Sequence, residues 1–72
     1  MKDNIRKLSL LIRLGIIDPS NFYSIRLDGE ITCQGKYDSG IAKKYLNYHF
    51  DSHIDSSGYL NLKRKNIRIV LT

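Results

Sequence analysis

Seventy-two residues, 42% hydrophobic and 26% charged, make an ordinary globular composition for one domain and exclude an intrinsically disordered chain. Twelve Lys and Arg against seven Asp and Glu leave a formal charge of +5, which favours anionic partners such as nucleic acid, a nucleoprotein, an acidic protein face or a phospholipid surface. The lone Cys33 excludes an internal disulfide, and the apolar stretch over residues 8–17 is broken by Arg13, too short to span a membrane and followed by no cleavage signal, so a cytoplasmic protein is expected.

Asp3 or Asn4 can cap a first helix in which Ile5, Leu8, Leu11 and Ile12 recur at helical spacing, with Arg6, Lys7 and Arg13 elsewhere on the circumference. Leu10, Leu14, Ile16 and Ile17 widen the apolar sector beyond one stripe, so the helix either packs deeply or touches a second chain. Gly15 is a natural stop, with Ile17 the furthest extent, before a type I turn at Asp18-Pro19-Ser20-Asn21.

Phe22 to Gln34 reads as a hairpin around Asp28-Gly29. A two-residue turn there would split the apolar residues between faces. A three-residue loop, Leu27-Asp28-Gly29, aligns Ile25 with Ile31 and Tyr23 with Cys33 and leaves Ser24, Arg26, Thr32 and Gln34 on the wet face. Asp38 or Ser39 then caps a second helix running to about His49, with Ile41, Ala42, Tyr45 and Leu46 as its buried stripe. Residues 51–58 read as a polar loop with a short extended piece at Ile54.

The last fifteen residues form the clearest element. Leu60 and Leu62, then Ile67, Ile69 and Leu71, alternate with polar neighbours in the period of two expected of half-buried antiparallel strands. Pairing Leu62 with Ile67 needs a four-residue loop; pairing it with Ile69 needs only Lys65-Asn66, where Asn66 tolerates the left-handed conformation. Both registers bury the same five aliphatics. The elements imply an α+β two-layer sandwich in the order α-β-β-α-β-β, a four-stranded antiparallel sheet with two helices on one face. So small a core leaves a narrow margin, and a homodimer contact or a bound partner would add to it.

Catalytic chemistry has little to stand on. His49, Asp51, His53 and Asp55 alternate like ligands on an extended chain, but the spacing matches no zinc signature and suits a polar turn better. Cys33 falls on the expected core face, no serine sits in a nucleophile elbow, and the glycines form no phosphate loop. No enzyme activity, metal or cofactor is expected.

The basic surface remains. Lys63, Arg64, Lys65 and Arg68, joined by Arg26 if the hairpins are neighbours, would contact phosphates, with Tyr59 or Tyr48 stacking on bases. Tyr23 and Tyr45 suit the core rim, and Tyr48 and Tyr59 a contact surface. Small size and the absence of catalytic features are similar in kind to the accessory proteins of phages and other mobile elements, including anti-CRISPR and anti-restriction proteins that bind and disable a host nuclease. Two functions follow as expectations: a non-enzymatic module that engages nucleic acid or a nucleoprotein through the terminal hairpin, and a protein-binding inhibitor that acts through an apolar helix or a sheet edge.

Overall fold

A computed structural model describes residues 2–72. Its elements are α1 (Lys2–Arg13), a 3-10 turn (Pro19–Asn21), β1 (Ser24–Leu27), β2 (Ile31–Gly35), α2 (Ser39–Asn47), β3 (Asp51–Ile54), β4 (Leu60–Arg64) and β5 (Ile67–Leu71). The strands make one mixed sheet in the order β1-β2-β5-β4-β3, in which β2 and β5 run parallel and every other pair antiparallel.

The α+β class holds, but the expected four-stranded antiparallel sheet is corrected twice. Residues 51–54 are a fifth strand at the sheet edge rather than loop, and all four are exposed. With neither face buried, they carry no apolar alternation for a sequence reading to find. Secondly, the two hairpins join through β2 and β5 in parallel. Hydrophobic alternation sets which face a strand buries; it says nothing about the neighbour's direction, which is decided here by the crossover through α2.

Within the hairpins the aliphatic faces match expectation, but Tyr23, expected on the covered face, is 65% exposed and Thr32, expected wet, is buried. In the terminal hairpin Leu62 pairs with Ile69 across the two-residue Lys65-Asn66 turn. Lys65, with φ of 53°, takes the left-handed position expected of Asn66. The Asn66 side chain is instead used as an anchor: its amide donates to Asn4 Oδ1 at 3.0 Å, and its carbonyl oxygen accepts from Lys7 Nζ. The turn is thereby tied to α1. In the first hairpin the loop has three residues, but it is Asp28-Gly29-Glu30, so Ile25 faces Cys33 and Leu27 faces Ile31. This slip of two from the expected pairing keeps both faces, adds the Leu27–Ile31 pair and keeps Gly29 at positive φ.

One face of the sheet is covered. Leu11 and Ile17 from the α1 region, Ala42 and Tyr45 from α2, and Phe50 pack with Ile31, Cys33, Leu62, Ile67, Ile69 and Leu71 into one cluster. Tyr45 lies at its centre rather than on the rim. Phe50 meets its ring edge-on at 5.2 Å between centroids, and its hydroxyl donates to the Ile16 carbonyl at 2.7 Å, which satisfies the one polar atom that burial would otherwise penalise. Leu46, expected in the same stripe, is 47% exposed. Cys33 is fully buried, and loss of solvent pushes its thiol up to about 11.

Both helices end in the same way. Gly15 N–H bonds to Ile12 O and Ile16 N–H to Leu11 O; His49 N–H bonds to Leu46 O and Phe50 N–H to Tyr45 O. These are Schellman closures with Gly15 and His49 in the left-handed position, at φ of 77° and 65°. Asp38 caps the start of α2, its carboxylate accepting from Gly40 and Ile41 N–H at 2.8 and 3.1 Å. Asp18 does the same for the 3-10 turn, in which the Asn21 N–H to Asp18 O bond of 3.0 Å closes the turn expected at Asp18-Pro19-Ser20-Asn21.

Candidate nucleic-acid interface

The other face of the sheet lies open on the side away from the helices, although Thr32, Asn61 and Val70 on its central strands are buried, and the strand registers place its side chains in rows. Arg26, Thr32, Arg68, Lys63 and Asp51 are successive cross-strand partners from one edge to the other, and Ser24, Gln34, Val70, Asn61 and His53 form the next row. Three of the six candidate residues, Arg26, Lys63 and Arg68, therefore share one line. Their charge does not stand alone. Glu30, from the first hairpin loop, accepts from Lys63 Nζ and from Arg68 Nε, the latter at 3.0 Å. Hydrogen bonding to Lys63 and then to Arg68 outweighs desolvation and holds the Glu30 carboxyl below its ordinary value.

Asp55 adds a third acid. Its carboxylate accepts from Ser57 N–H at 2.9 Å, Tyr59 N–H at 3.0 Å and Asn61 Nδ2 at 2.9 Å, and these bonds, the Tyr59 one foremost, depress its pKa. It is a turn carboxylate already supplied with donors. Among the described residues, no group of three or more His, Cys, Asp and Glu stands where it would hold a metal ion. Glu30 thus offsets Lys63 and Arg68, and Asp51 stands across from Lys63, so the charge of these two cations is partly neutralised where they stand.

The remaining candidates separate from these three. Arg64, at the end of β4, shares the parity of Leu60 and Leu62, so it leaves from the helix side of the sheet and donates to the Tyr48 carbonyl oxygen. Lys65 follows in the turn. Tyr59 precedes the first residue of β4, about 16 Å along the strand from Arg64 at ~3.3 Å per residue. It is exposed but stands at the wrong end of the hairpin to work with the turn.

Around Arg64 and Lys65 the molecule is concave. A cavity of about 280 Å³ lies between α1, the closure of α2 and the terminal turn, with Leu11, Ile16, Phe50 and Ile67 as its apolar lining and Lys7, Arg64, Lys65 and Tyr48 as the rest. Among the described residues that line it, none is acidic. The His49 closure turns the chain so that Tyr48 and Phe50 both reach this cavity, and the Asn66 anchor holds Lys7 and the hairpin turn together.

Lys7 is the participant that sequence reasoning passed over. Its signal was the i to i+4 spacing from Leu11, which sets it on the border of the buried stripe; that this border meets the terminal turn is a tertiary fact. Fold and site together define a small α+β protein with helices over one sheet face and a cationic hollow at one end. No protein-family model matches the chain, nor does any curated protein or solved structure.

Proposed function

We propose that the protein is a non-enzymatic, cytoplasmic module that engages nucleic acid or a nucleoprotein through the turn end of its basic terminal hairpin. Arg64 and Lys65 are joined there by Lys7, and Arg26, Lys63 and Arg68 have at most an auxiliary part. The observation that carries this reading is the absence of acidic lining at the cavity that holds Lys7, Arg64 and Lys65. Among the described residues Lys7, Arg64 and Lys65 make no salt bridge, whereas Lys63 and Arg68 would first have to give up Glu30 to meet a phosphate.

Fluorescence anisotropy with labelled RNA and DNA oligonucleotides tests it. Binding that weakens steeply with salt is expected, and a flat titration at low salt would remove the proposal.

A second reading has its own support. Ile5, Leu10 and Leu14 on and after α1 are 49%, 51% and 61% exposed, and Ile54 on edge strand β3 is 63% exposed. Such residues suit a protein partner or a homodimer, as in an inhibitor of the anti-CRISPR or anti-restriction kind. Sedimentation and pull-down would then show a dimer or a partner that survives moderate salt.

A further inference from the structure

We infer that the cavity beneath the terminal turn receives one unstacked nucleobase, so that the protein selects single-stranded nucleic acid over duplex; this rests on the reading of the turn end as the nucleic-acid surface. Three features of one site point to it. Tyr48 contributes an aromatic ring that is 38% exposed, and Arg64 a guanidinium tied to the Tyr48 carbonyl. Aromatic rings and guanidinium planes are the surfaces on which splayed bases stack.

Below them, Leu11, Ile16, Phe50 and Ile67 give the hollow an apolar lining, which a phosphate would leave empty and a flat heterocycle would fill. Its volume of about 280 Å³ falls at the lower end of small-ligand sites, room for a ring system and not for a helix or a stretch of chain. Lys7 and Lys65 stand beside it, where the flanking phosphates of that base would pass. In a duplex the bases are stacked inside and cannot reach such a hollow, so only the phosphate attraction would remain.

Competition anisotropy separates the two levels. The wild-type protein is titrated at low salt with an oligothymidylate, a strand of equal length carrying abasic residues, and a duplex of equal charge. The base-containing strand should bind about fivefold to a hundredfold more tightly than the abasic one. Tyr48→Ser should shrink that gap while leaving the salt slope unchanged, since no phosphate contact is lost. Equal affinity for all three probes, or an unchanged gap in Tyr48→Ser with a native circular dichroism spectrum, would overturn the base pocket and leave the charge-based proposal standing. No binding of any probe would overturn both.

Discussion

Three cations of the open sheet face and three of the turn end differ in what stands beside them. On the open face, Glu30 is ion-paired to both Lys63 and Arg68, and Asp51 is the cross-strand neighbour of Lys63. At the turn end, Lys7, Arg64 and Lys65 line a hollow in which none of the described lining residues is acidic. The densest cationic run in the sequence is thus cut in two by strand alternation, since consecutive residues of β4 point to opposite faces. Local charge density along a chain is a poor guide to surface potential when the run lies on a strand.

Neutralising each set in turn is the most demanding test of that contrast. Replacing Lys7, Arg64 and Lys65 with Gln should weaken oligonucleotide binding roughly tenfold or more at low salt and flatten the salt slope by about 2. The same change at Arg26, Lys63 and Arg68 should do much less. Equal losses, measured by anisotropy on variants with native circular dichroism, would break the distinction.

A smaller effect runs the other way. Glu30→Gln frees Lys63 and Arg68, so binding of a polyanion should tighten roughly threefold. Stability should fall by about 1 kcal/mol or less, because the ion pairs are a third exposed. Isothermal denaturation and anisotropy on the same sample read both.

Acid should act on Glu30 and Asp55, and on Asp18 at the 3-10 turn, whose carboxyl is also held low by its bonds from the Ser20 hydroxyl and N–H. Glu30 has an ordinary value of 4.5 and Asp55 one of 3.8, and both are held lower in the folded protein. Their stabilising contribution is therefore complete above those ordinary values and is lost as pH falls through the depressed ones. Thermal melts should hold steady from neutrality to about pH 5 and drop below pH 4, and Glu30→Gln should flatten part of that drop.

The smallest effect concerns the lip of the hollow. His49→Gly should raise stability by about 0.5–1 kcal/mol, because glycine adopts the left-handed closure without the cost a side chain pays there. Gly15→Ala, at the matching position after α1, should lower stability by about 1 kcal/mol. Urea titration of both variants compares the two closures directly.

How much of this was legible beforehand can be judged from particular residues. Asp38 as a cap, Gly15 as a stop and the aliphatic face of the terminal hairpin are local matters, governed by backbone geometry and a period of two, and each is found as expected. Tyr45 misled because its hydroxyl suggested a rim; the Ile16 carbonyl that accepts from it lies 29 residues away. Strand β3 gave only the expectation of a short extended piece at Ile54, because an exposed edge strand has no buried face to alternate.

Of the six candidate cations and aromatics, all lie on or near strands as read, but only Arg64 and Lys65 reach the hollow. Their companions Lys7 and Tyr48 come from two helices that no pattern places beside the turn. The amino-acid sequence by itself determined the elements, their caps and which side of each strand avoids water, because those follow from neighbours within a few residues. Only the tertiary structure decided the parallel pairing of β2 with β5, the matching of Glu30 to Lys63 and Arg68, and the meeting of Lys7 with the terminal turn. Each joins residues more than thirty positions apart, and long-range packing, which selects such pairs, leaves no period in the chain.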